Sequence, residues 1–332
     1  MQGSIENHEE ITPPQNMDLM KLEDEFFDQL KGMGRSLNTL KNYKTDLECF
    51  NQYLKKNKES LDISDFTLPQ VEQYGNYLQE KYKSDNSRRR RVQALRIFFD
   101  FLVEKQLFNS NPVRKLPTSP KFLDVPRPTP FIDVKTLWVY LLEEEQNPNA
   151  MNSLIAKRNQ VAFLLIYGAG LKVSDLAKLK RDHILLGEES RVMVDHPKRD
   201  PYSVTLPEIF PFVYKEYLEL LEKQKSESQI EFDQLLFNAN PYKILSGGLS
   251  PRGLEIIFEE LRKKLMLTLT PKSLRQACIF KWLHQSHTDT VIKEWMGVAP
   301  SYSLKLYKEH LDKYIYNDEF LLELYRNHKM NQ

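Results

Sequence analysis

The chain has only two cysteines in 332 residues, Cys49 and Cys278, far apart in sequence. That excludes a secreted scaffold held by disulfides, and both thiols are expected to be reduced and buried. No apolar run approaches the roughly 20 residues needed to cross a bilayer, and the first residues lack the apolar stretch of a signal peptide. A cytoplasmic protein with no membrane contact is therefore expected. There is no internal repeat and no low-complexity tract. Net charge is almost absent, since 47 Lys and Arg stand against 46 Asp and Glu, so charge speaks about partners only through its distribution.

What is present is enough for two cored domains: 41% apolar content over this length. Residues 1–16 carry Glu6, Glu9 and Glu10 and no Lys or Arg, and are expected to be a disordered acidic tail. From there the periodicity is helical. In "SLNTLKNYKTDLECFNQYLKK", Leu40, Tyr43, Leu47, Phe50 and Leu54 recur every three or four residues, with Ser36 and Thr39 placed to cap the start. Val92, Leu95, Phe98, Phe99, Leu102 and Val103 mark another helix.

Residues 81 to 96 hold Lys81, Lys83, Arg88, Arg89, Arg90, Arg91 and Arg96 against Asp85 alone. This surplus is a candidate polyanion footprint, with Arg88 to Arg91 and Arg96 as DNA-binding candidates; the alternative is a solvated helix face. Residues 17–116 thus read as one helical module. The proline-rich stretch that follows, residues 117–131, reads as an extended linker, because neither a helix nor a central strand tolerates its prolines. Residues 132–332 read as a second, mostly helical domain. Its exception is "RVMVDHPKRDPYSVTLP", where two β-rich runs flank a polar turn with Lys198 at the tip, a hairpin pattern.

Two helical domains on a linker suggest a clamp around a long ligand. In "TPKSLRQACIF", Thr270 and Pro271 open a helix, so Lys272 and Arg275 share one face at its positive end. Cations there oppose the helix dipole unless an anion lies between them, and a phosphate would satisfy both. His284, His287 and His310 form no metal-ligand pattern and read as surface or helix-end residues, and Cys278 reads as core.

With "VIKEWMGVAPSYSLKLYKEHL", a helix, a turn and a second helix carrying Tyr307, the chain resembles the tyrosine recombinases, the phage-integrase and Xer-type site-specific recombinases. The first module resembles that family's core-binding domain. In the second, "YGAGLKVSDL", the hairpin lysine, "TPKSLRQ" and "MGVAPSYSLKLY" follow the family's order and spacing. The resemblance implies a mainly α, two-domain architecture: a helical core-binding domain, then an α+β catalytic-type domain with a small antiparallel sheet. It implies double-stranded DNA as partner, homo- or hetero-oligomers on DNA through the C-terminal helix, and chemistry without metal or other cofactor. Tyr307 takes the nucleophile's position, Arg275 that of the second arginine, and Lys198 that of the hairpin lysine, which protonates the leaving oxygen.

The departures fall on the same site. Lys172 stands where the family has its first arginine, Lys272 where it has a histidine, and Val298 where it has another histidine. Valine neither donates nor accepts a hydrogen bond, and an ammonium is a point charge where a guanidinium offers a planar fork. Three readings follow. The first is a DNA-binding family member with impaired or altered strand cleavage. The second is an active recombinase with a divergent, lysine-rich site, and the third a helical interaction scaffold without DNA affinity.

Overall fold

A computed structural model describes residues 19–64, 66–116, 125–196, 200–240, 242 and 244–330. The acidic stretch 1–16, residues 117–124 of the expected linker, and Lys198 lie outside the described residues. The rest falls into two compact units, one ending at residue 116 and one starting at residue 125.

The first unit contains four helices, α1 (Leu19–Gly32), α2 (Leu37–Lys58), α3 (Leu68–Lys81) and α4 (Asp85–Glu104), followed by a 3-10 turn at Pro112–Lys115. Ser36 caps α2, its hydroxyl accepting from the Thr39 amide at 3.2 Å. The predicted stripe is core: Leu47, Phe50 and Leu54 of α2 and Leu95, Phe98, Phe99 and Leu102 of α4 are buried. Aromatic rings meet edge-on through it, Phe50 lying 5.1 Å from Phe66 and 5.2 Å from Tyr74. Arg96 is spent inside this unit, its Nε donating to Val113 O at 3.2 Å and its Nη2 to Leu116 O at 2.6 Å. It ties the 3-10 turn to α4.

The second unit opens with α5 (Phe131–Glu144) and α6 (Ala150–Phe163), which continues as a π-helical turn, Leu164–Gly168. After the short α7 (Val173–Leu176) comes a three-stranded antiparallel sheet, β1 (Ile184–Leu185), β2 (Arg191–Val194) and β3 (Tyr202–Thr205), in that order. Val192 pairs with Val204 and Met193 with Ser203, so both runs of the expected hairpin are strands. Then follow α8 (Phe210–Ser228), a two-stranded pair β4 (Asn238–Ala239) and β5 (Leu245–Ser246), and α9 (Pro251–Leu265). The last helices are α10 (Pro271–His284), α11 (Asp289–Trp295), α12 (Lys305–Glu309) and α13 (Glu319–Met330). Cys49 and Cys278 are free and buried, one in each unit. No helix among the described residues is long and apolar enough to cross a membrane.

Residues 125–130, expected within the linker, pack on α10. The Thr129 amide donates to Ser273 O at 3.1 Å, and the Arg127 amide donates to Gln276 Oε1 at 3.0 Å. One backbone and one side-chain acceptor on α10, with a buried Thr129, hold this extended segment in place of a sheet partner.

The C-terminal helix α13 is seated on its own unit. Phe320, Leu321 and Tyr325 are buried, and Trp138 Nε1 donates to Leu321 O at 3.1 Å. Lys329 bridges Glu145 at 2.9 Å and Glu216 at 3.1 Å. Buried Lys157 pairs with both carboxylates. Burial alone would raise the Glu145 carboxyl; the charge of Lys157 and hydrogen bonds from Lys157, Gln160 and Lys329 outweigh it and hold the group at about 2. In the first unit Glu23 behaves oppositely: buried between α1 and α2 with one hydrogen bond from Asn51, it is raised to about 7.

These two carboxyls give the units opposite pH responses. Glu23, with its folded value above the ordinary one, stabilises below about pH 4.5 and loses that contribution as pH rises through 7. Glu145, with its folded value depressed, stabilises above 4.5 and loses its contribution as pH falls towards 2. Each amounts to roughly 3 kcal/mol. The three tryptophans, Trp138, Trp282 and Trp295, all lie in the second unit, so their fluorescence follows that unit alone. Glu23→Gln should raise stability at pH 8 in circular dichroism and leave the fluorescence transition unmoved. Glu145→Gln should lower the fluorescence transition at pH 7 and flatten its acid limb.

Candidate functional site

The site is built around the turn that follows the π-helical end of α6. An extra residue in that turn shifts the chain so that Gly170 emerges with φ +63°, a left-handed conformation that favours glycine. A Cβ at Gly170 would lie 2.4 Å from the buried Trp282 ring, so the backbone must rest directly on the indole. Two residues later Lys172 precedes α7, its amide donating to Asp175 Oδ2 at 3.3 Å.

Arg275, on the first turns of α10, reaches this turn from the other side. Its Nε donates to Gly170 O at 2.6 Å and its Nη2 to Met296 O at 2.5 Å. Lys172 Nζ donates to the next carbonyl, Gly297 O, at 3.3 Å. The turn after α11 therefore presents two successive carbonyls to two cations. Val298, next in line, is partly buried against the apolar core, with its amide donating to Lys293 O at 3.2 Å.

A cavity of about 360 Å³ opens here, lined by Lys172, Lys272 and Arg275 together with Thr270, Arg252 and Arg262. The structure thus brings together three of the residues expected from the sequence. Lys272 is exposed on the first turn of α10, where Thr270 caps the helix by accepting from the Ser273 amide at 3.0 Å. Arg252 and Arg262, on α9, were not anticipated. Their signal was available: Arg252, Glu255, Glu259 and Arg262 recur three and four apart, a single polar helix face. Both carboxylates on that face have cation partners, Glu255 with Arg252 at 3.2 Å and Glu259 with Lys263 at 2.8 Å. Five cations against the two carboxylates Glu255 and Glu259 leave the cavity lining with a surplus of three positive charges beside a helix N-terminus, an arrangement suited to an anion carrying more than one oxygen.

Tyr307 does not line this cavity. It is 6% exposed on α12, its ring 5.3 Å from that of Phe280. The expected basic footprint in the first unit is divided. Arg88 pairs with Asp85 and donates to Tyr82 O at 2.9 Å. Arg91 is buried, its guanidinium 3.7 Å from the centre of the Tyr82 ring. Arg90 is exposed, Arg89 half-buried, and Arg96 holds the 3-10 turn. His284 Nε2 donates to Tyr314 O at 2.9 Å, His310 Nδ1 donates to Leu306 O at 2.9 Å, and His287 packs edge-on against Trp295.

Residues 24–106 match the family model described as "Phage integrase, N-terminal SAM-like domain". Across 289 residues the chain is 24% identical to tyrosine recombinase XerC of Anoxybacillus flavithermus, covering 84% of this chain and 90% of that protein. To tyrosine recombinase XerD of Listeria monocytogenes it is 22% identical over 278 residues, 82% and 88% of the two chains. Among solved structures, the fold is similar to XerH site-specific recombinase bound to difH substrate in a pre-cleavage complex. That match has a TM-score of 0.61 and 15% identity over 91% of this chain and 82% of that one. It is also similar to lambda integrase residues 75–356 bound to DNA, with a TM-score of 0.59 and 16% identity over 87% and 94%.

The geometry of the turn yields a direct expectation. Gly170→Ala combines a left-handed φ with a collision against Trp282, and should destabilise the second unit by about 2 kcal/mol or more. Thermal unfolding followed by tryptophan fluorescence measures it, and an unchanged midpoint would show that the indole yields freely.

Proposed function

Because the chain belongs to the tyrosine recombinase (phage integrase) family, we propose that it binds double-stranded DNA and acts in site-specific DNA recombination or integration, with impaired or altered strand-cleavage chemistry. One observation carries this reading: Lys172, Lys272 and Arg275 gather with Arg252 and Arg262 around one cavity, while Val298 occupies the place of a hydrogen-bonding group and Tyr307 lies off that cavity. The cluster binds a backbone phosphate. It is poorly arranged to stabilise one in transition.

In the reaction itself, Tyr307 Oη forms a bond to phosphorus as its phenolic proton passes to a basic group. The bond to the 5′ oxygen breaks, and that oxygen takes a proton from Lys198. A 3′-phosphotyrosyl link and a free 5′-hydroxyl result, and attack by a 5′-hydroxyl reverses the step. One phosphodiester is exchanged for another, so no cofactor is needed to drive it. Arg275, Lys172 and Lys272 hold the phosphate oxygens as charge builds. To reach the cavity, Tyr307 must leave Phe280, which exposes an aromatic ring at a cost of about 2 kcal/mol. Ammonium in place of guanidinium at residue 172, and the missing donor at residue 298, then weaken what it meets.

The second reading, an active recombinase with a lysine-rich site, is favoured by the anchoring of Lys172 and Arg275 on adjacent carbonyls of one turn, which fixes both cations before DNA arrives. The protein works in the cytoplasm and assembles on DNA as homo- or hetero-oligomers through α13. An exchange of α13 between copies breaks the contacts of Lys329 with Glu145 and Glu216.

A nicked suicide substrate separates the readings. The unmodified protein should shift duplex DNA in a strongly salt-dependent manner and form little covalent adduct. Lys172→Arg, Lys272→His and Val298→His together should raise adduct formation on the order of 10²-fold, with single changes far weaker because the groups act on one phosphate. Tyr307→Phe should abolish the adduct. Efficient cleavage by the unmodified protein would establish the second reading, and absence of any DNA shift the scaffold.

A further inference from the structure

Asp46, on α2, is 1% exposed and points its carboxylate into the basic run of α4. Arg90 Nη2 donates to Asp46 Oδ1 at 2.8 Å, and Arg91 Nε lies 4.0 Å from the same oxygen. The two guanidiniums differ in access: the Arg90 side chain is 47% exposed and that of Arg91 10%. Arg91 is held from three directions, by the Tyr82 ring, by Ser87 O at 3.0 Å, and by Asp46. Burial raises the Asp46 carboxyl, and the two arginines oppose that rise.

Two guanidiniums against one carboxylate leave a single uncompensated positive charge. Arg91 is too enclosed to share it with a ligand, so its outlet is Arg90. Only one of that side chain's five N–H donors is committed to Asp46. A guanidinium held at one nitrogen samples fewer orientations, and less side-chain entropy is lost when a phosphate engages the rest.

We propose that Asp46 is a positioning residue for DNA contact, holding Arg90 as the phosphate-gripping member of the α4 run. The proposal rests on the reading that this chain binds duplex DNA. Within it, the arginine run divides by task. Arg88, Arg91 and Arg96 build the module, and Arg90 meets the backbone.

The test uses the full chain and a mixed-sequence duplex, with affinity measured across a salt series. Arg90→Ala should weaken binding and make the log–log salt slope shallower by about 0.9, one phosphate contact. In an Asp46→Asn background the same Arg90→Ala change should have less than half that effect on affinity and slope, because a neutral amide oxygen holds Arg90 far more weakly than a carboxylate. A purely structural Asp46 would shift the unfolding midpoint and leave the effect of Arg90→Ala undiminished, which overturns the proposal. So does an Arg90→Ala variant that binds like the unmodified protein while that protein shows salt-dependent binding; the DNA-binding reading then survives alone. No DNA binding by the unmodified protein removes both. If Asp46→Asn does not fold, Arg90→Lys carries the test: it keeps the charge and loses the fork. It should keep the salt slope of the unmodified protein yet bind more weakly than that protein, whereas affinity equal to that of the unmodified protein would show that the position of the fork is irrelevant and overturn the proposal.

Discussion

The Arg275 guanidinium is the joint on which the candidate site depends. It hydrogen-bonds Gly170 O and Met296 O, so one side chain on α10 fixes the turn before α7 and the turn after α11. Charged hydrogen bonds to carbonyls are each worth roughly 1.5–3 kcal/mol, and here they also decide where the neighbouring side chains begin. Lys172 starts two residues after Gly170 and Val298 two residues after Met296. Trp282 beneath Gly170 fills the space under the joint. Loss of this one residue would therefore misplace groups that it never touches.

The two units manage buried charge by different means. In the second, Glu145, Lys157, Glu216 and Lys329 form a closed network in which each carboxylate meets two ammonium groups. Such a cluster stays ionised because every charge has a partner within hydrogen-bond reach. In the first, Glu23 has only an amide donor and is easier to bury protonated. Asp46 lies between these cases, with one arginine partner, Arg91, enclosed in the module and the other, Arg90, exposed to an external ligand. A counter-ion shared between fold and ligand is how one module can be stable alone and still attract a polyanion.

Much of this was legible in the sequence, and the rest fails for identifiable reasons. The amphipathic stripes of α2 and α4, the Ser36 cap and the two strands of the hairpin follow from local periodicity and turn chemistry, which tertiary packing did not override. The arginine run was readable only in part. Carried backwards, the stripe of Val92 and Leu95 reaches Arg91 and Arg88, so their inward placement could have been derived from the 3.6-residue period. The partners of Arg96 lie 17 and 20 residues away, beyond any local rule. Lys272 and Arg275 were found through spacing and Lys172 through the family resemblance, whereas the carbonyl anchors of Lys172 and Arg275 lie 125 residues and 105 and 21 residues away along the chain, and backbone acceptors leave no trace in residue type.

Those anchors also bear on what a lysine at residue 172 can do. Its ammonium gives one donor to Gly297 O, and its remaining donors are tetrahedrally disposed about a single atom, so a phosphate must approach that same atom. A guanidinium in that position could hold the carbonyl with one nitrogen and present two others, in a plane, to the phosphate oxygens. Attraction falls slowly with distance and survives the exchange; alignment with an oxygen whose charge grows only during the reaction does not. Binding and cleavage thus place unequal demands on the same residue. On the reading proposed above, a chain with a charge but no fork at residue 172, and with Arg275 as the joint but no donor at residue 298, has the part of the site that ground-state binding requires.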